Sequence, residues 1–272
     1  MMRYAVGVEF DGSGYCGWQQ QQGLATVQAQ LQSALSRVLD HPVAITGAGR
    51  TDAGVHARSL VAHFDTEAAR SERALVLGGN SHLPPAIALQ WARRVPDHFH
   101  ARYSALSRSY RYCILNRSVR GPLARARAAF IHRRMEVDPM CEAARLLLGT
   151  HDFSALRAAE CQARSPVREL MALQVVRSGD FVVLEVTANA FLHHMVRNIA
   201  GLLIHIGQGQ APPAFAAEVL AARDRRIAPA TAPAEGLYFW RVRYPAVFGL
   251  PDDSDIMPAP TGCPGDLLDH IR

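Results

Sequence analysis

The order of strand-like and helix-like patterns is the feature that most limits what this chain can fold into. Alternation of apolar and polar side chains indicates strands, and apolar residues at a spacing of three to four indicate helices. In the first part of the chain these patterns give the order β-α-β-β-α-β. They predict strands over residues 3–11, 43–47, 59–65 and 87–95, and helices over residues 26–39 and 71–80, with Thr26 as the N-cap of the first helix.

The second part of the chain repeats this element order without repeating its sequence. The patterns predict strands over residues 109–115, 168–177, 181–188 and 237–244, and helices over residues 138–148, 191–206 and 213–222. We therefore expect an α/β chain of the α+β type, in which two split β-α-β units lie side by side with a cleft where they meet. The predicted divisions are 1–105, 106–245 and an acidic, flexible tail at 246–272.

Composition places the chain among ordinary globular proteins. Its 272 residues are 49% hydrophobic and 19% charged. The N-terminus has neither a signal-peptide core nor a run approaching the roughly 18 apolar residues of a membrane span, so we expect a cytoplasmic protein. The five cysteines are scattered and include no Cys-x-x-Cys pair, which favours reduced thiols over disulfides or a zinc cluster.

The basic residues favour a polyanionic partner. The net charge is +5, and all 29 basic residues are arginine, although codon bias in a GC-rich genome also explains the missing lysines. The segment from His98 to Met135 contains no Asp or Glu. Its arginines alternate with aromatic residues that could stack on bases, which is typical of RNA-binding surfaces. These residues are Arg102, Arg108, Arg111, Arg117, Arg120, Arg125, Arg127, Arg133 and Arg134, with Phe99, Tyr103, Tyr110 and Tyr112.

A glycine-rich stretch from Gly47 to Arg58 separates two of the predicted strands. It contains a single carboxylate, Asp52, which lies two residues from Arg50 and six from Arg58, so we expect Asp52 to be ionised. The glycines permit close approach of another backbone or of a ligand. A turn with a solvated ion pair and a functional loop both explain this stretch when it is taken alone.

Three further features have both a structural and a functional interpretation. Trp18 and Gln19, in Tyr15-Cys16-Gly17-Trp18-Gln19-Gln20, belong either to a surface loop with buried rings or to a platform for RNA. Tyr110 alternates with arginines on a strand and is either a core residue or a site residue. Arg197 lies on an amphipathic helix and, if it points inward, requires a carboxylate partner.

Several common sites are disfavoured. Adjacent pairs such as His193-His194 do not converge as i, i+4 pairs do, so no metal site is expected. His151-Asp152-Phe153-Ser154 lacks the spacing of a hydrolase triad, and no Gly-x-Ser-x-Gly elbow is present. The chain also has no Gly-x-Gly-x-x-Gly or Walker loop, which argues against a nucleotide cofactor.

Taken together, these motifs resemble the tRNA pseudouridine synthase A family from about residue 3 to Tyr244. The resemblance implies the pseudouridine synthase fold, with one continuous, mixed, mostly antiparallel sheet and helices on one side. It implies a cofactor-free homodimeric isomerase that converts uridines 38, 39 and 40 of the tRNA anticodon arm to pseudouridine. The segments that carry it are Gly49–Ala57, Tyr15–Gln19, Tyr110-Arg111-Tyr112, His151-Asp152-Phe153 and Phe191–Asn198; Leu156 departs from it by standing where an aromatic residue is frequent.

The resemblance also implies roles for individual residues. Asp52 matches the catalytic aspartate, Tyr110 the tyrosine that stacks on the target base, and Arg197 the basic partner of the aspartate. We expect RNA contacts from the matching motifs and from the basic segment. The residues are Arg50, Arg58, Trp18, Gln19, His56, Arg108, Arg111, His193 and Asn198.

The chemistry of the reaction agrees with this assignment but leaves alternatives open. A single carboxylate suits an enclosed isomerisation, whereas hydrolysis normally needs a second acid to position water. Attack of Asp52 on C1′ or on C6, and the identity of the group that removes the C5 proton, both stay open. A tRNA-binding module without activity and a hydrolase of a glycosidic bond are the competing hypotheses.

Overall fold

The computed structural model describes residues 1–251, which divide into two compact units. The first unit comprises Met1–Ser107 together with the described residues from Tyr238 onward, and the second comprises Arg108–Leu237. The sequence patterns predict that the last strand belongs to the second half of the chain, residues 106–245. The structure groups that strand with the first unit, which is therefore built from two separate stretches of chain.

The first unit contains four strands and two helices from its N-terminal stretch. Strand β1 pairs antiparallel with β3 and β4, and β2 pairs antiparallel with β3. The predicted order β-α-β-β-α-β is confirmed here. The elements are β1 (Met2–Phe10), α1 (Val27–Leu39), β2 (Ile45–Gly47), β3 (His56–Thr66), α2 (Glu72–His82) and β4 (Ile87–Val95).

Helix α1 was predictable from the sequence because its regularly spaced apolar residues are the ones that it buries. Val27, Leu31, Leu35 and Leu39 recur on one face and are at most 2% exposed, and burial of each such side chain stabilises the fold by roughly 1.5–3 kcal/mol. The helix contacts α2, which in turn contacts β4. Thr26 does precede α1, but its buried hydroxyl makes no hydrogen bond, so it does not act as a side-chain cap.

The second unit contains a four-stranded antiparallel arrangement in the order β5-β9-β8-β7, and β6 pairs parallel with β5. Helix α3 contacts α4, α5 and β8. The elements are β5 (Ser107–Asn116), β6 (Ala129–Ile131), α3 (Val137–Leu146), β7 (Gly149–Asp152), β8 (Val167–Ser178), β9 (Phe181–Ala188), α4 (Met195–Gly207) and α5 (Phe215–Ala222).

The final strand, β10 (Leu237–Arg243), pairs parallel with β3. Tyr238 lies opposite His56, and Phe239 lies opposite Ala57. A parallel neighbour this far along the chain leaves no local sequence signal, because no hairpin turn connects the two strands.

The structure differs from the sequence patterns at three short segments. Helix α4 begins at Met195 and not at residue 191, because His194 adopts a left-handed conformation with φ of 60°. Strands β6 and β7 were not predicted, since three or four residues are too few to show an alternation.

The segment after β10 begins in an ordered way. Ala246–Phe248 forms a 3-10 turn, and the ring of Phe248 packs at 5.0 Å from that of Phe99. The predicted flexible tail therefore does not begin at residue 246. Its remainder, residues 252–272, lies outside the described part of the chain.

The α/β class and the mostly antiparallel pairing are confirmed, with five α-helices within residues 1–251. None of the helices in this described range combines the length and the apolar character needed to cross a membrane.

Candidate active site

The loop that carries Asp52 connects β2 to β3 in the first unit. At its start, the amide of Ala48 donates to the carbonyl of Val61 at 2.8 Å. At its end, Val55 donates to the carbonyl of Asp52 at 3.2 Å, and Gly54 between them has a φ of 79°. Asp52 is therefore the first residue of a tight turn, with its side chain half-buried.

A second loop, which follows β1, supports the Asp52 loop from the side. The amide of Trp18 donates to the carbonyl of Thr51 at 3.1 Å, and that of Gly54 donates to the carbonyl of Tyr15 at 3.3 Å. A Cβ at Gly17 would lie 2.4 Å from the carbonyl oxygen of Thr51. The two loops approach so closely that this position requires glycine.

At two glycines, the space that a side chain would fill is occupied by other atoms of the protein. A Cβ at Gly12 would lie 1.9 Å from the carbonyl oxygen of Val55, and a Cβ at Gly47 would lie 2.8 Å from the ring of Trp18. The sequence predicts that the glycines between Gly47 and Arg58 admit another backbone or a ligand. At Gly47 the neighbour is the protein's own Trp18 ring, and Gly12, outside that stretch, packs against the backbone in the same way.

Strand β10 supplies two aromatic residues that contact the start of β3. The ring of Tyr238 stacks on that of His56 at 4.7 Å, with an interplanar angle of 24°. The guanidinium of Arg58 lies 4.6 Å from the centroid of the Trp240 ring, in a cation–π contact. Sequence reasoning missed both aromatics, although their alternation around the buried Phe239 was a signal that they share one face.

Tyr110 lies in the middle of β5, opposite Val186 of β9. Its side chain is 8% exposed, and its ring meets the ring of Phe191 edge to face at 4.9 Å. Tyr112 points to the same face two residues on, where its hydroxyl donates to the carbonyl of Pro233 at 2.8 Å. Burial raises the pKa of the Tyr112 phenol, so Tyr112 is a core residue and not a proton-transfer group.

Arg197 lies in the first turn of α4 and is half-buried. Its Nε donates to the carbonyl of Ala232 at 2.9 Å, and the amide of Ala232 donates back to the carbonyl of Arg197 at 3.1 Å. The guanidinium is thus tied at one nitrogen to a backbone segment of the same unit. This contact fixes the direction of the side chain.

The residues predicted to contact RNA differ in how far their side chains are exposed to solvent. Arg50 and His193 are exposed, and Arg58 is half-buried on Trp240. Gln19 is half-buried, and its Nε2 donates to Oε1 of Gln28 at 2.9 Å. The first three of these side chains present charge or ring nitrogens at the surface.

Four other predicted RNA contacts are buried, and the structure gives each a structural role. Trp18 is 2% exposed, with its ring 6.3 Å from that of Phe10. His56 is 3% exposed and accepts a hydrogen bond from the amide of Gly12 at Nδ1, at 3.1 Å. An RNA strand could not reach these two rings without opening the loops around them.

The remaining two are held within the second unit. Arg108 is 9% exposed, and its Nη1 donates to the carbonyl of Asn189 at 2.9 Å. Asn198 is 1% exposed, and its Nδ2 donates to the carbonyl of Leu156 at 2.9 Å. The motif Phe191–Asn198 predicts contact with RNA for Asn198, but a helix turns by about 100° per residue and sends this side chain in another direction than that of Arg197.

Arg111 has a protein partner on the adjacent strand. Its Nε donates to Oε2 of Glu185 at 2.8 Å, across a directly opposed pair of β5 and β9. A phosphate would have to compete with this carboxylate.

Nearby, burial raises the pKa of the Cys113 thiol to about 12, which makes this cysteine unreactive near neutral pH.

Comparison with known proteins places these features in a family. A family model described as tRNA pseudouridine synthase matches residues 7–104 and 143–245. Proteins called tRNA pseudouridine synthase A are similar to the chain over most of its length. That of Methylococcus capsulatus is 53% identical over 253 residues, covering 93% of both chains. That of Nitrosococcus oceani is 53% identical over 250 residues, covering 92% of this chain and 96% of its own. That of Legionella pneumophila strain Lens is 50% identical over 249 residues, covering 92% and 95%. The chain therefore belongs to the tRNA pseudouridine synthase family, whose members are isomerases acting on uridine in tRNA.

Proposed function

We propose that this protein converts uridines 38, 39 and 40 of the tRNA anticodon stem-loop to pseudouridine, with Asp52 as its catalytic carboxylate. The main support for this proposal is the position of Asp52. It is the first residue of a turn, and hydrogen bonds connect this turn to a neighbouring loop. A carboxylate on a rigid turn is suited to covalent or electrostatic catalysis, which depends on fixed geometry.

The reaction rearranges one nucleotide without any net loss or gain of atoms. The bond from C1′ to N1 breaks, the uracil turns, and a bond forms from C1′ to C5. The proton on C5 leaves and N1 gains one. Asp52 would assist by attack on C1′ or on C6, or by stabilising positive charge at C1′.

We further propose that Tyr110 and Arg197 act on the same uridine. The target base must leave its stack at a cost of a few kcal/mol, and stacking on an aromatic ring offsets part of this cost. Tyr110 would provide that ring. It is also a candidate to receive the C5 proton, for which another group must first remove its own phenolic proton. Arg197 would act as the basic partner of Asp52. Exposed Arg50 and His193, with Arg58, would contact the RNA backbone.

A tritium-release assay tests the proposal directly. With tRNA labelled at C5 of uridine, the wild-type protein should release tritium, and Asp52→Asn should lower the rate by at least about 1000-fold because the catalytic carboxylate is lost. Asp40→Asn makes the same chemical change at an exposed helix end and should keep normal activity. Normal turnover by Asp52→Asn would remove the role given to Asp52.

Two further measurements complete the test. Mapping of pseudouridine in tRNA before and after treatment should show new pseudouridine at positions 38–40, and no free uracil should appear. Free uracil would indicate hydrolysis, and tight tRNA binding without modification would indicate a binding module. The homodimer implied by the resemblance and the cytoplasmic location expected from the sequence pattern are also proposals; light scattering at assay concentrations checks the first.

A further inference from the structure

We infer that Arg225 and Thr231 are positioning residues for Arg197, acting through the buried amide of Asn198. This inference rests on the proposed role of Arg197 and adds residues to it. All four residues belong to the second unit, and the segment from Arg225 to Ala232 lies between α5 and β10.

The buried amide is the centre of the network. Asn198 Oδ1 accepts from the hydroxyl of Thr231 at 2.6 Å and from Nη2 of Arg225 at 3.2 Å. Its Nδ2 donates to the carbonyl of Leu156 at 2.9 Å. Because the amide is 1% exposed, the loss of one partner leaves a buried polar group short of a hydrogen bond.

Arg225 shapes the segment that reaches Arg197. Its Nη1 donates to the carbonyl of Ala228 at 2.9 Å, and its Nη2 also donates to the hydroxyl of Thr231 at 3.0 Å. One planar guanidinium thus holds both ends of the turn between residues 228 and 231. A lysine has no such fork and could not make these contacts together.

The segment ends at the residue that holds Arg197. Thr231 is followed directly by Ala232, whose carbonyl accepts from Arg197 Nε at 2.9 Å and whose amide donates to the carbonyl of Arg197 at 3.1 Å. A shift of Thr231 therefore moves the acceptor that orients the guanidinium.

Gly201, one helical turn further along α4, lets the segment lie against the helix. A Cβ at this position would lie 2.1 Å from the carbonyl oxygen of Ala230. Helix and segment consequently fit together only with glycine here. Gly201 offers a second and independent way to displace the segment.

The network should affect the chemical step more than RNA binding. An orienting group displaced by about 1 Å can cost up to about 100-fold in rate, while contacts that bind the substrate elsewhere are unaffected. We expect Arg225→Gln and Thr231→Val to lower the single-turnover rate by about 10- to 100-fold, with the dissociation constant for tRNA unchanged within about twofold. Arg225→Lys should recover only part of the rate.

Arg226→Gln is the matched control. Arg226 lies next to Arg225 and forms an exposed ion pair with Asp224 at 2.6 Å, without contact to Asn198. It should retain the wild-type rate. Circular dichroism and thermal unfolding establish that each variant is folded, and Gly201→Ala should show the same selective loss of rate as Arg225→Gln.

A double-mutant cycle separates positioning from general stability. If Arg225 acts through Arg197, then Arg225→Gln should cost little further rate in an Arg197→Lys protein with measurable activity. Full additivity, or a folded Arg225→Gln protein with the wild-type rate, would overturn the inference. Either result leaves the proposed function standing, whereas absence of activity in the wild-type protein would contradict the proposed function itself.

Discussion

Gly17 and Gly23 have similar backbone angles but different surroundings. Their φ values are 84° and 75°, so alanine at either position is strained by roughly 1–2 kcal/mol. A Cβ at Gly17 would meet the Thr51 carbonyl at 2.4 Å, whereas a Cβ at Gly23 would have nothing within 4 Å. The difference between the two alanine variants isolates the contact between the loops.

We predict that Gly17→Ala lowers the free energy of unfolding by roughly twice as much as Gly23→Ala, or more, because the contact adds to the backbone strain. It should also lower activity, since the displaced Thr51 precedes Asp52. Urea unfolding and tritium release measure the two effects. Equal losses for the two variants would show that the loops can separate without cost.

His63 is a buried histidine that must be neutral in the folded protein. Its Nδ1 accepts from the amide of Ala101 at 3.2 Å, and its ring lies 4.7 Å from that of His100. Burial, helped by His100 and Arg3, lowers the pKa of His63 to about 4, while Asp65 opposes the shift. The unfolded value is about 6.5.

This shift predicts acid sensitivity. Above pH 6.5 the free energy of unfolding has its full value. As the pH falls toward 4, the unfolded chain binds a proton at His63 that the folded protein does not bind, so the free energy of unfolding falls by up to about 3 kcal/mol. Urea midpoints at pH 7 and pH 4.5 measure the loss. His63→Gln, whose amide oxygen can still accept a hydrogen bond, should flatten this dependence. Asp65, whose pKa is lowered by its hydrogen bond with Arg3, loses its contribution only below about pH 4 and so leaves this window unchanged.

The sequence predicted the loop position of Asp52 better than it predicted the exposure of the other candidate residues. Asp52 lies in a loop because glycines interrupt two apolar strands, and this pattern is local. Trp18 and Asn198 resemble ligand-binding residues in the sequence but are buried. Their burial depends on Gly47 and on the segment near Thr231, which no local pattern connects to them.

At the scale of elements, Asn116 joins the end of β5 to two other segments. Its Nδ2 donates to the carbonyls of Ile131 and Arg133 at 3.0 and 2.8 Å. Its Oδ1 accepts from the amide of Met135 at 3.1 Å and from Nη2 of Arg177 at 2.8 Å. A single buried side chain thus connects β5, the end of β6 with the chain that follows it, and β8.

We predict that Asn116→Ala lowers the free energy of unfolding by about 2–4 kcal/mol, because it leaves several buried polar groups without partners. Arg177→Met should cost less, and the double variant should cost less than the sum, since both residues belong to one network. Urea unfolding of the four proteins measures the coupling. Simple additivity would show that the two side chains act separately.

Element boundaries were predictable where the apolar pattern was long. Helix α1 and strand β4 occupy the expected residues, whereas α4 begins four residues late. The delay arises at His194, whose left-handed conformation with φ of 60° departs from helical dihedral angles.

For the whole molecule, electrostatics should dominate tRNA binding. The net charge is +5, and the segment from Arg102 to Arg134 contains several exposed arginines. Each phosphate contact contributes about 0.7–0.9 to the slope of log K against log salt. We therefore expect tRNA affinity to fall steeply as the salt concentration rises.

Replacing exposed Arg120 and Arg125 together by glutamine should reduce this slope by about 1.5. Arg37→Gln, an exposed substitution at the end of α1, should leave the slope unchanged. Filter binding over a range of salt concentrations provides the measurement. An unaltered slope in the double variant would exclude this segment as the phosphate-binding surface.

The parallel pairing of β10 with β3 has a consequence for synthesis on the ribosome. Translation produces every described residue of the second unit before it produces Tyr238 and Trp240, which contact His56 and Arg58. A nascent chain that stops before β10 leaves β3 without one of its neighbours and the Asp52 loop without these aromatic supports. The Asp52 loop is synthesised early, but it gains these supporting contacts only after β10 has been synthesised.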